Sequence, residues 1–208
     1  GFQLLNSVLI AYFLGPSLFG SWAFILLIVQ YFNQLNFGIP QALNNVLSVS
    51  KDDLSACEIA YFISFKGILI LNLLTILFFI LQWSGWSLIG SEFGFPEFSW
   101  PVCLWIVTNQ ILLLLVNVSR IYGQLREINI YQLLPQLLIF TLLISLQNEV
   151  SIILILWFWV ISNVVSIAFL FNAIPIKFKK SDPQSLKSLI GKKGMKLFIY
   201  NSSFYLIM

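Results

Sequence analysis

The chain has 208 residues, of which 59% are hydrophobic, 16% aromatic and 9% charged, whereas an ordinary soluble domain carries about 25% Asp, Glu, Lys and Arg. With a mean hydropathy of +0.92, this composition excludes a disordered chain and leaves too little charge to cover a water-facing surface. Two Cys and no His exclude a disulfide-stapled secreted domain and remove the usual general base and commonest metal ligand.

A membrane-crossing helix needs about 20 mostly apolar residues. Taken in order, the chain opens with a short apolar run at 2–14. Five full-length spans follow at 21–47, 59–83, 101–118, 128–147 and 150–173, then a second short run at 197–208. Runs such as Ile68-Leu69-Ile70-Leu71 and Leu112-Leu113-Leu114-Leu115 are apolar all round, unlike the alternating strands of a membrane barrel. The expected fold is all-α, a polytopic transmembrane helix bundle. Both ends fall inside apolar runs, so we expect a piece of a longer protein. Residues 1–174 would form six helices, the first of them incomplete, 175–196 a basic linker, and 197–208 the start of a seventh helix.

The charges support this division. If the loops alternate sides, 48–58, 119–127 and 175–196 share one face and hold ten of the eleven basic residues. The loops at 15–20, 84–100 and 148–149 have no Lys or Arg and hold the acids Glu92, Glu97 and Glu149. The positive-inside rule places the basic loops in the cytoplasm. Cys57 and Cys103 then lie near opposite membrane faces, too far apart for a disulfide. In 175–196, Leu186, Leu189 and Ile190 recur at helical spacing among lysines. That pattern suits either a short amphipathic helix on anionic membrane lipids or a plain linker. The basic cluster is too short, and too closely tethered to the membrane, to favour nucleic acid.

Polar residues inside the spans are the candidate functional groups. In 21–47 and the residue after it, Gln30, Asn33, Gln34, Gln41, Asn44, Asn45 and Ser48 fall within a stripe roughly 120° wide at helical spacing. Asn36 is the exception, and Gly38 and Pro40 predict a kink. The 101–118 span and its exit repeat the pattern with Asn109, Gln110, Asn117, Arg120 and Gln124, and the next span contributes Asn129, Gln132 and Gln136 around Pro135. No comparable stripe is expected on 59–83 or 150–173. Two readings are open: the amides line a hydrated cavity, or they hydrogen-bond helix to helix, each such bond contributing about 0.6 kcal/mol. Lys66 is the one ionisable residue well inside a span, placed either to meet an anionic head group or to snorkel towards the interface. Arg120 suits a phosphate, since its guanidinium forms paired bonds, or is ordinary topological charge. No metal-ligand spacing, phosphate loop, nucleophile elbow or paired-carboxylate motif occurs, so neither enzyme chemistry nor a cofactor is expected.

Two segments resemble a known family. Leu14-Gly15-Pro16-Ser17-Leu18-Phe19-Gly20-Ser21-Trp22 is similar to the turn between the first two helices of polysaccharide flippases, and Asn36-Phe37-Gly38-Ile39-Pro40-Gln41-Ala42-Leu43 to their second helix. These are the O-antigen and exopolysaccharide flippases of the multidrug/oligosaccharidyl-lipid/polysaccharide exporter superfamily. The resemblance implies two lobes with 12–14 helices in all around a central cavity, this chain supplying the N-terminal lobe. It also implies transport of undecaprenyl-pyrophosphate-linked oligosaccharide across the bacterial cytoplasmic membrane by alternating access, beside polysaccharide polymerase machinery. Unlike the lipid II flippases of that superfamily, this chain has only amides on its second helix. The head-group contacts then lie either in the other half of the protein or at Arg120 and Lys66. The alternatives are a drug or metabolite exporter of the same superfamily and, from another class, a membrane polysaccharide polymerase.

Overall fold

Inside hydrocarbon a backbone N–H or C=O finds a partner only within its own segment, so apolar runs of this length fold as helices. The computed structural model describes residues 2–50, 53–84, 95–146 and 150–176, and these form helices with no strand among them. The helices are α1 (Phe2–Gln34), α2 (Ile39–Val49), α3 (Leu54–Trp83), α4 (Phe95–Ile121), α5 (Leu125–Leu146) and α6 (Ile152–Ala173). All but α2 are long and apolar enough to cross a membrane, as expected of a multi-pass membrane protein. The segments 175–196 and 197–208 of the sequence reading lie, apart from Pro175 and Ile176, outside the described residues.

The two ends of the bundle are pinned differently. At the lower end the Gln124 side chain donates to the Ala173 carbonyl, and the Cys57 thiol donates to the Ser50 carbonyl at 3.1 Å. Asp53 caps the start of α3 by accepting from the Ala56 N–H at 3.1 Å. At the upper end Trp83 and Trp100 meet edge to face, 6.5 Å between ring centres, and Ser151 caps α6.

α1 is two limbs joined at Gly15, whose φ of 69° and ψ of 174° are non-helical. Asn6 bonds Gln136, midway along α5, and Gln110, midway along α4, bonds the Phe32 carbonyl. A straight helix would hold Asn6 and Phe32 about 39 Å apart in depth, yet they reach the middles of two helices packed on each other. The chain therefore turns back at Gly15, and Pro16 starts the second limb, where its missing N–H costs nothing. The backbone conformation at Gly15 is open almost only to glycine, so Gly15→Ala is expected to lower stability by about 1–3 kcal/mol. Nothing lies within 4 Å of the added methyl, so a thermal melt would read backbone strain alone.

α4 is the hub and packs against every other helix. Its upper half sits in a core of Ile10, Leu14, Trp22, Ile25, Leu143 and Ile155, and its lower half in one of Leu43, Leu47, Tyr61, Ile128 and Leu170. Trp105 stacks on Trp22 at 6.0 Å and on Trp159 at 5.4 Å, with interplanar angles of 11° and 17°. This joins α1, α4 and α6 in one aromatic column.

The expectation that 59–83 and 150–173 carry no polar face is overturned. Ser64, Asn72, Thr75 and Gln82 lie buried along one side of α3, as do Ser162, Asn163 and Ser166 on α6. Asn72, 3% exposed, donates to the Val107 carbonyl at 3.4 Å, and Asn163, 2% exposed, donates to Thr108 Oγ1 at 3.3 Å. These bonds tie α3 and α6 to adjacent residues of α4. On α3 the polar residues are three to eight positions apart among larger apolar ones, and on α6 they are confined to one short stretch, so neither makes a dense stripe in the sequence.

Candidate functional site

The span expected at 21–47 is broken rather than kinked. The second limb of α1 ends at Gln34 and α2 begins at Ile39. Between them Phe37 (φ 49°) and Gly38 (φ 68°) take left-handed conformations, and Pro40 supports the restart in the first turn of α2. Asn36, the residue outside the predicted stripe, holds the break together. Its Oδ1 accepts from the Gly38 N–H at 2.9 Å and its Nδ2 donates to the Asn33 carbonyl at 3.0 Å. Gln110 donates from α4 to the Phe32 carbonyl at 3.0 Å. Non-helical backbone within a membrane bundle is tolerated where such partners replace the lost helix bonds. The break lies near mid-depth. Ile39 reaches Gly67, close to the middle of α3, where an added Cβ would meet Ile39 Cδ1 at 3.0 Å.

Below the break incompletely covered polar residues lie on three helices. On α4 the residues Asn109, Leu113 and Asn117, at steps of four, are half-buried, and Arg120, three residues further, is exposed at the foot. On α2, Gln41 and Asn44 are half-buried and Asn45 and Ser48 exposed, at the same helical spacing. The two faces adjoin where Asn44 Nδ2 donates to Asn117 Oδ1 at 2.8 Å, while Asn117 Nδ2 donates to the Leu113 carbonyl at 2.8 Å. On α5, Asn129 and Gln132 are exposed and Gln136 is half-buried. Gln136 accepts from Asn6 at 2.9 Å through both its side chain and its carbonyl.

The predicted cavity residues therefore divide. Asn44, Asn117 and Gln136 are engaged in helix-to-helix bonds. A double-mutant cycle on Asn44→Ala and Asn117→Ala is expected to give a coupling energy near 0.6 kcal/mol in thermal unfolding. On α1, Gln30 is exposed and Asn33 and Gln34 are half-buried. Gln30, Gln34, Asn45, Asn109 and Gln132 make no hydrogen bond to another described residue and remain available to a ligand.

The two predicted cations part company. Arg120 is exposed at the foot of α4. Tyr122 beside it has its phenol pushed up to about 12, by burial first and then by the neighbouring Cys57 thiol, so it is neutral and Arg120 is the adjacent charge. Lys66 is exposed between Leu69, Ile70 and Leu73, on the side of α3 opposite the residues that meet α4. It lies about 18 Å from the lower end of α3 at 1.5 Å per residue, deeper than the predicted helix start implies. Its side chain lies on an exposed apolar face of α3, away from the residues of α3 that meet α4.

Gln110 and Asn36 are the residues whose roles the sequence reading missed. Gln110 stood among the polar residues of its span without a site, and only the break in a distant helix gives its side chain a partner. No family model matches the chain, and no curated protein or solved structure is significantly similar to it.

Proposed function

We propose that this chain is the N-terminal lobe of a two-lobe, 12–14-helix transporter that carries a lipid-linked oligosaccharide across the bacterial cytoplasmic membrane. The observation that carries the reading is that Asn109 on α4, and Gln41 and Asn45 on α2, are incompletely covered and make no hydrogen bond to another described residue, with Arg120 exposed at the foot of α4. Amides left unpaired against acyl chains cost free energy, so such a surface belongs against water or a polar ligand. Neutral amides bond sugar hydroxyls without burying charge, Arg120 offers paired bonds to a phosphate, and the lipid tail stays in the bilayer.

The motif Leu14-Gly15-Pro16 falls at the reversal of α1, and Gly38-Ile39-Pro40 at the start of α2. The resemblance of these segments to the flippases thus coincides with the two backbone features that shape the bundle. Under the positive-inside rule the lower end faces the cytoplasm, so the polar surface opens where such a lipid carrier is loaded. The aromatic column closes the upper half. A second lobe rocking against this one would supply alternating access. In this reading the chain does no covalent chemistry, anionic lipids surround its basic loops, and polysaccharide polymerase machinery receives the cargo.

The test is transport by the full-length protein in proteoliposomes loaded with a fluorescent undecaprenyl-pyrophosphate oligosaccharide. Transfer between leaflets is the expected result. Export of small amphiphilic drugs with no movement of the lipid-linked sugar would replace this reading with the exporter. Elongation of the glycan would replace it with the polymerase.

A further inference from the structure

At the break between α1 and α2 two buried amide oxygens, Gln110 Oε1 and Asn33 Oδ1, receive no donor from the protein. Gln110 is 1% exposed. Its Nε2 is committed to the Phe32 carbonyl at 3.0 Å, and only the nitrogen end of an amide can bond a carbonyl, so the orientation of the side chain is fixed. Its Oε1 is buried and receives no donor from the protein. The same holds for Oδ1 of Asn33, the residue after Phe32. The last carbonyls of α1 lie in this neighbourhood too, those of Phe32 and Asn33 already accepting from Gln110 and Leu35 and from Asn36, and a helix C-terminus carries about half a negative charge. An acceptor left without a donor in the interior costs about 1–3 kcal/mol.

The chemistry restricts what could satisfy them. A group of acceptors at a negative helix end repels an anion. A sugar hydroxyl does not reach a side chain that is 1% exposed. A divalent ion needs carboxylates, and the described acids Asp53, Glu58, Glu97 and Glu127 all lie in or near the terminal turns of their helices. A small monovalent cation stripped of most of its water is compatible with neutral oxygens, as where unwound backbone meets half-helix ends in other transporters. The geometry points to a monovalent cation site, of sodium size, at the end of α1, formed by Gln110 Oε1 and Asn33 Oδ1. A bound ion would fasten the break in α1–α2 to α4. The inference concerns the break alone and does not depend on which solute the polar surface carries.

The test is thermal unfolding of the purified chain in sodium, potassium or choline chloride at equal ionic strength. Sodium is expected to raise the melting temperature steadily with the logarithm of its concentration, and choline to leave it unchanged. Gln110→Met, which removes the oxygen, is expected to abolish the sodium response. Asn33→Ala leaves the Gln110–Phe32 bond in place and is expected to move the sodium midpoint upward about tenfold, the loss of about 1.4 kcal/mol of binding. Should Gln110→Met fail to fold, Asn33→Ala decides alone. Identical wild-type melts in all three salts overturn the site, as does a sodium midpoint that Asn33→Ala leaves in place. Neither result bears on transport of a lipid-linked sugar.

Discussion

Replacing Gln41, Asn45 and Gln132 together with Leu is expected to reduce transport to background while the protein still folds and inserts. Asn45 and Gln132 are exposed and make no hydrogen bond to another described residue, and Gln41 is half-buried with an Oε1 that receives none. Removing them therefore breaks no hydrogen bond to another described residue, and Leu is the better residue against lipid. A ligand that bonds all three would lose three hydrogen bonds at about 1 kcal/mol each. That corresponds to roughly a hundredfold in rate if the bonds hold the solute at its highest barrier. The comparison is Asn44→Leu, which removes the 2.8 Å bond to Asn117 and should lower the melting temperature more than it lowers transport. Normal expression with undiminished transport in the triple variant would make this surface a packing face and remove the basis of the transporter reading.

The parts of the fold legible in the sequence are those that hydrocarbon imposes. The runs 59–83 and 150–173 became helices Leu54–Trp83 and Ile152–Ala173, because a long apolar segment has no alternative that satisfies its backbone. Leu14-Gly15-Pro16 was legible as a turn, and the glycine there does take a backbone angle that other residues avoid. The break at Leu35–Gly38 was legible only as a kink. Pro40 and Gly38 announce a disturbance, whereas a full interruption needs Asn36 and Gln110 to accommodate the freed backbone groups. Gln110 is 78 residues from the carbonyl it holds, a distance no local pattern spans. The same limit hid the bonds of Asn72 and Asn163. A single Asn on an apolar helix looks like an isolated exception until the neighbouring helix brings Val107 and Thr108 opposite it. The amides of the site were found by their periodicity, but their division into engaged and available groups depends on which faces α4 covers, and that is a property of packing.

Trp105→Ala should have the largest effect on stability of any single change considered. Trp105 is 6% exposed and stands between Trp22 and Trp159, so its ring holds three helices in the upper half of the bundle. Truncating a buried Trp costs about 3–5 kcal/mol, and each lost aromatic pair adds about 0.5–1.5 kcal/mol beyond the area it buries. Trp105→Phe keeps an aromatic surface and should cost distinctly less. The position also provides a chemical readout, because Cys103 is buried two residues above it and Cys57 is buried at the far end of the bundle. If the column closes the upper half, Trp105→Ala should speed modification of Cys103 by a small thiol reagent and leave Cys57 as slow as before. Equal acceleration at both cysteines would indicate general unfolding, and acceleration at neither would show that the column is not the closure. Selective exposure of Cys103 is the outcome expected if the aromatic half is a seal and the amide half below it an opening.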